Sequence, residues 1–132
     1  MIKLVPALVI SWLFLGCTAE AVGPDAVAAN LDVAGASQLL GSHAGTIVLD
    51  VRTPGEYAEG HLADAVLLDF KSAGFAEGLG ELARDRTYLV HCKSGGRSAA
   101  AFAQMQEMGF SKLYHLDGGI LAWEKAGLPV VK

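Results

Sequence analysis

The sequence predicts an α/β domain built on a parallel sheet with helices on both faces, and three observations lead there. Short runs of β-favouring residues recur along the chain. Segments with helical spacing, caps or stop signals separate them. One run, Thr46-Ile47-Val48-Leu49-Asp50, is continuous rather than alternating, as a strand buried on both faces is. A length of 132 residues suits one such domain with a short appendage, and 52% apolar content supplies a core and excludes disorder. Ten Lys plus Arg against fourteen Asp plus Glu argue against a nucleic-acid partner, which wants a basic face.

The first 21 residues stand apart from the domain and read as a signal peptide. Lys3 is followed by an uncharged apolar stretch over 4–16, too short for a permanent membrane span and matched to a secretory h-region. Two exits are open. Leu13-Phe14-Leu15-Gly16-Cys17 resembles a bacterial lipobox, with Cys17 as the lipidated residue and Thr18 directing the product to the outer membrane. Alternatively, Ala19-Glu20-Ala21 offers the small-x-small pattern cut after Ala21 by ordinary signal peptidase. Either cut exports the chain to the periplasm, as a soluble or a lipid-anchored protein. Residues 22–30 are alanine-rich and weakly patterned and read as a tether, which leaves 31–132 as the domain.

Within the domain, Asp32 caps a helix over 33–40 that Gly41 ends. Thr46-Ile47-Val48-Leu49-Asp50 is a buried strand. Thr53, Pro54 and Glu56 mark a helix start: a cap, a proline in the first turn and an acid at the positive end. Ala65-Val66-Leu67-Leu68 is a second strand, 75–83 a helix, and Tyr88-Leu89-Val90-His91 a third strand. In 97–108, Ala101, Phe102, Met105 and Met108 fall on one helical face, stopped by Gly109. A fourth strand over 112–116 and a helix over 119–126 complete the domain. Trp123 belongs to the core.

Ligands of such sheets bind beyond the carboxyl ends of the strands, where His91-Cys92-Lys93-Ser94-Gly95-Gly96-Arg97-Ser98 lies. The two glycines permit a tightly curled backbone, which aims successive N–H groups inward as a nest for an anion. The following helix adds its positive end, and Lys93 and Arg97 add full charges. Each of these favours the thiolate, so Cys92 is expected below an ordinary thiol. With Cys17 acylated or removed, Cys92 is the sole thiol of the mature chain. In an oxidising compartment such a thiol is a liability unless its chemistry is used.

The segment from Cys92 to Ser98 resembles the active-site loop of single-domain rhodaneses, which are sulfurtransferases. Leu49-Asp50-Val51-Arg52, with Glu56-Tyr57 and Gly60-His61-Leu62, is similar to that family's N-terminal signature. Leu116-Asp117-Gly118-Gly119 with Ala122-Trp123 is similar to its C-terminal motif. One departure is visible: Ala63-Asp64 stands where the family pattern has Pro-Gly, which touches the turn and not the chemistry. The resemblance implies a rhodanese-like α/β fold with a five-stranded, mostly parallel sheet. It implies a sulfur transfer in which Cys92 carries a persulfide between a small anionic donor, such as thiosulfate, and a thiophilic acceptor, such as cyanide or a thiol. Lys93, Ser94, Gly95, Gly96, Arg97 and Ser98 would bind the substrate, with Asp50 and Arg52 as a supporting structural pair. Lys93 steers the donor by its charge.

No cofactor is implied, and His43, His91 and His115 lack metal-ligand spacing to Cys or acids. Glu56 reads as a helix-start acid, and His61 as a hydrogen-bonded scaffold residue. Two rivals remain in play. Non-catalytic rhodanese-like domains dock partners or carry sulfur, but those that only dock usually lack the Cys. Phosphatases and arsenate reductases of the same fold place five residues between Cys and Arg, where Cys92 and Arg97 are separated by four.

Overall fold

The apolar runs assemble into one sheet. The computed structural model describes residues 25–132, so the segment read as a signal peptide and Cys17 lie outside the described residues. In chain order the elements are β1 (Val27–Leu31), α1 (Val33–Ser42), β2 (Ile47–Asp50), α2 (Pro54–Glu59), β3 (Val66–Leu67), α3 (Phe75–Glu81), β4 (Thr87–His91), α4 (Gly96–Glu107), β5 (Lys112–Leu116) and α5 (Gly119–Lys125). The five strands are parallel in the order β1-β5-β4-β2-β3. This is the expected α/β architecture on a five-stranded parallel sheet, with β4 central and its carboxyl end between those of β2 and β5.

Alternation along the strands divides the core in two. Leu49, Tyr88, Val90 and Leu113 face Phe75 and Leu79 of α3 and Ala101 and Met105 of α4. Val48, Leu89 and Leu116 face Ala36 of α1 and Ile120 and Trp123 of α5. Every residue of β4 is buried, which is why its centre, Tyr88-Leu89-Val90, does not alternate with polar residues. Full burial of a leucine such as Leu89 is worth about 2–3 kcal/mol, so the central strands hold the layers together.

Two local expectations are corrected. The tether expected over 22–30 gives way to strand β1 from Val27. Its sequence, Val-Ala-Ala-Asn-Leu, is poor in β-formers, and tertiary pairing overrides that weakness. β1 lies in register with β5 from Val27 opposite Lys112 to Leu31 opposite Leu116. Nor does Gly41 end α1. The helix continues to Ser42 and closes at His43, whose N–H donates to the Leu39 carbonyl at 2.9 Å. The Asp32 cap forms as expected, its Oδ1 accepting from Gly35 N at 2.8 Å.

The α2 start is a full capping box. Glu56 N–H donates to Thr53 Oγ1 at 3.4 Å, and Glu56 Oε2 accepts from Thr53 N at 3.0 Å. After α2, the Ala63-Asp64 departure is accommodated without loss of the turn. Ala65 N–H donates to Leu62 O at 3.1 Å, with Asp64 held at φ 59°. Asp is among the few non-glycine residues that enter this left-handed region. Asp64→Gly should therefore stabilise the fold by about 0.5 kcal/mol, raising Tm by about 2–4 °C in a thermal melt.

A second prediction concerns pH. Arg97 grips Glu56 through two hydrogen bonds, Nη1 to Oε2 at 2.8 Å and Nη2 to Oε1 at 2.9 Å. That grip outweighs burial and, with the Thr53 cap, holds the Glu56 carboxyl well below the ordinary carboxylate range. A depressed folded-state pKa contributes stability above the unfolded value of about 4.3 and loses it as pH falls toward the folded value. Denaturant melts should show the wild type losing about 1 kcal/mol more than Glu56→Gln between about pH 6 and pH 2.

Candidate active site

β4 ends on His91, and the chain from Cys92 to Ser98 curls back over the end of the sheet into α4. What shapes the curl lies elsewhere in the sequence. Ile120 N–H donates to the Cys92 carbonyl at 3.0 Å and Leu121 N–H to the Lys93 carbonyl at 3.1 Å. His91 Nδ1 adds a third bond, to the Cys92 carbonyl at 3.0 Å. With these carbonyls turned outward to the start of α5, the following N–H groups turn inward to the Cys92 sulfur. Gly95, at φ 121°, makes the sharpest bend and opens α4. Gly119, at φ 61°, is needed for contact: a Cβ there would stand 2.6 Å from the Cys92 carbonyl oxygen.

Cys92 is buried, 1% exposed. Burial pushes its thiol up, but Ser98 Oγ and the N–H groups of Ser98, Gly95 and Ser94 more than offset this, so the thiol lies below its ordinary value. Gly95 N stands 3.1 Å from Sγ and Ser98 Oγ stands 3.3 Å from it. The expected depression is present, and it comes from the inward N–H groups of the curl, as expected, together with the Ser98 hydroxyl, rather than chiefly from the charges of Lys93 and Arg97. The Arg97 guanidinium is spent on Glu56, and Lys93 is exposed.

Lys93 sits at the edge of a depression of about 290 Å3, which Glu56, Glu59, Leu121 and Glu124 also line. The mouth beside the loop is therefore of mixed charge. Ser94 and Gly96 are exposed on the rim of the loop, and Ser98 is fully buried beneath it. Asp50 and Arg52 form the expected structural pair. Arg52 donates to the Asp50 carboxylate from Nε and, at 2.7 Å, from Nη2, and also to Gly60 O at 2.8 Å. The pair anchors the end of β2 to the end of α2 and does not touch the sulfur. His91 packs beside it, Nε2 being 3.7 Å from Asp50 Oδ2, and burial holds its imidazole below the ordinary value. His61 is the scaffold residue expected, stacked on Tyr57 with ring centroids 3.7 Å apart.

Sequence reasoning missed two residues. His115 is buried behind Ser98, with Nε2 at 2.7 Å from Ser98 Oγ, and its Nδ1 lies 2.8 Å from Asn30 Oδ1. Asn30 and His115 are opposite one another in the β1–β5 register, which only the sheet brings about. No spacing in the chain announces them, and Asn30 lay in the stretch read as a tether.

This geometry has known counterparts. The rhodanese-like domain family matches over residues 33–126. A protein named sulfurtransferase from Allochromatium vinosum is 35% identical over 102 residues, which cover 77% of this chain and 94% of that one. A chloroplastic thiosulfate sulfurtransferase of Arabidopsis thaliana is 34% identical over 97 residues, 65% of this chain and 80% of the relative. A probable adenylyltransferase/sulfurtransferase of Mycobacterium tuberculosis is 43% identical over 82 residues, but the match spans only 21% of its length. Among solved structures, a rhodanese-related protein from Thermoplasma volcanium superposes with a TM-score of 0.69 at 31% identity, over 77% of this chain and 96% of that one. The curled loop around Cys92, the sheet beneath it and these likenesses agree, and the chain belongs to the rhodanese-like domain family.

Proposed function

We propose that the protein is a sulfurtransferase that moves one sulfane sulfur atom from thiosulfate or a related small donor to a thiophilic acceptor through a persulfide on Cys92. The observation that carries this reading is the ring of donors converging on one buried sulfur. A hydrogen bond to an ionised group is worth about 1.5–3 kcal/mol, so several of them offset the several kcal/mol cost of a buried anion. The four-residue spacing between Cys92 and Arg97 favours a ring sized for a single sulfur atom over one for a tetrahedral oxyanion.

In the first half-reaction a Cys92 sulfur lone pair forms the new S–S bond to the outer sulfur of the donor. The bond from that sulfur to the sulfite group breaks, and its electron pair leaves with sulfite. The N–H groups over residues 94–98 then hold the persulfide anion in the manner of an oxyanion hole. Lys93, exposed at the mouth, attracts the anionic donor. In the second half-reaction cyanide or a thiolate takes the outer sulfur and returns Cys92 as thiolate. The relatives named sulfurtransferase and thiosulfate sulfurtransferase support the chemistry, and the buried sulfur favours a narrow donor with a protruding sulfur atom.

The proposal includes export. The charged start, the short apolar stretch and the two cut sites support a periplasmic enzyme, released after Ala21 or anchored to the outer membrane through acylated Cys17.

Two measurements test this reading. Reduced protein incubated with thiosulfate and freed of donor should gain the mass of one sulfur atom. The gain should vanish on adding cyanide and be absent from Cys92→Ser, whereas an unchanged wild-type mass would remove the assignment. Mass analysis of the amino terminus of protein taken from its native cells should find acylated Cys17 in the membrane fraction or free Val22 in the soluble one. A folded chain still starting at Met1 would refute export.

A further inference from the structure

Ser98 has one hydroxyl proton and three acceptors around it: His115 Nε2 at 2.7 Å, Gly95 O at 3.2 Å and Cys92 Sγ at 3.3 Å. Which acceptor receives that proton depends on His115. Asn30 presents its amide oxygen to Nδ1 at 2.8 Å, and an amide oxygen only accepts, so Nδ1 carries a proton. In the neutral imidazole Nε2 is then a lone pair, and at the shortest of the three distances it takes the Ser98 proton. Ser98 so directed offers the sulfur a lone pair, which suits a thiol S–H. A thiolate has the opposite need: it requires the Ser98 proton, which is freed when Nε2 carries a proton of its own to give to Ser98 Oγ. One hydroxyl thus links two ionisations.

The surroundings leave this imidazole as the buried counter-charge. Among the described residues near the sulfur, Arg97 is close enough to feel the Cys92 charge but gives both its hydrogen bonds to Glu56, Arg52 is committed to Asp50, and Lys93 is exposed. His115 is faced by Asn30 from β1, by His91 from β4 and by Ser98 and the Phe102 ring from α4, with Asp117 just beyond β5. Burial lowers the His115 imidazole and the Asp117 charge opposes that, so beside a protonated thiol it stands ready as the neutral acceptor.

We propose that Ser98 and His115 form a proton relay for Cys92, with Asn30 holding the ring, so that thiolate and imidazolium arise as a pair. The Cys92 S–H bond breaks and its proton passes to Ser98 Oγ, while the Ser98 proton passes to His115 Nε2. The electron pair stays on sulfur, and nothing is oxidised or reduced. The imidazolium remains as counter-ion to the thiolate and to the persulfide that replaces it. His115 is a positioning residue that reaches the sulfur only through Ser98. This deepens the sulfurtransferase reading and rests on Cys92 being its nucleophile.

The test reads the thiol and the ring directly in the full-length chain carrying Cys17→Ser, where Cys92 is the one thiol, with no sulfur donor present. Thiolate absorbance and iodoacetamide reactivity followed against pH should place the Cys92 midpoint about one unit higher in His115→Leu, a loss of about tenfold in thiolate on the acid side of the midpoint. Ser98→Ala should raise the midpoint as well, and adding His115→Leu to it should move it no further. Histidine NMR should show the His115 ring titrating higher in the wild type than in Cys92→Ala, because the thiolate stabilises the imidazolium. That comparison leaves His115 intact and stands if His115→Leu fails to fold. A His115→Leu profile that overlies the wild type, or His115 titrating alike with and without the Cys92 thiol, overturns the relay. Failure to form a persulfide would instead overturn the sulfurtransferase reading while leaving these curves unmoved.

Discussion

The hydrogen bonds that Ile120 and Leu121 N–H groups give to the Cys92 and Lys93 carbonyls are the constraint on which the site depends. A peptide unit whose C=O points outward has its N–H pointing inward. Fixing two consecutive carbonyls against the first turn of α5 therefore settles where the next amides aim. The same contact explains the glycine at 119, where any side chain would collide with the loop backbone. It also explains why the Asp117-Gly118-Gly119 motif accompanies the cysteine loop although it lies more than twenty residues downstream. The loop is shaped by a partner that the sheet brings to it.

Around the sulfur, the protein stabilises negative charge with dipoles and neutralises its cations with carboxylates. Arg97 would be the natural counter-charge for a thiolate, yet it forms a two-bond pair with Glu56. Arg52 is likewise matched to Asp50. The backbone N–H groups aimed at the Cys92 sulfur are preorganised and need no rearrangement when charge appears there.

Glu56 shows how much one side chain can join. It completes the capping box that starts α2, and its carboxylate reaches Arg97 in the first turn of α4. Two helix starts on either side of the sheet end are thereby held together, while Arg52 ties the end of β2 to Gly60 where α2 stops. The platform under the loop is thus fixed from below by a buried pair and from the side by a half-buried one. The Cys92 sulfur is hydrogen-bonded to neither.

Much of this was legible in the sequence because it is local. β-favouring runs marked β2 and β4, and Thr53-Pro54-Glu56 marked the start of α2. Cys92 with Gly95 and Gly96 at a strand end marked the site, since a curled loop, a nucleophile and a helix start are all chain neighbours. What the chain order could not show are partners joined only by the register of the sheet. β1 has too little intrinsic preference to declare itself and exists because β5 pairs with it. Glu56 meets Arg97 across 41 positions, and Asn30 meets His115 across 85. Composition and periodicity determined the class of fold, and the Cys92 to Ser98 motif the place of the candidate site, because short-range sterics and burial set both. Tertiary structure decided which groups surround the Cys92 sulfur, because hydrogen bonds form between atoms that are near in space, whatever their distance along the chain.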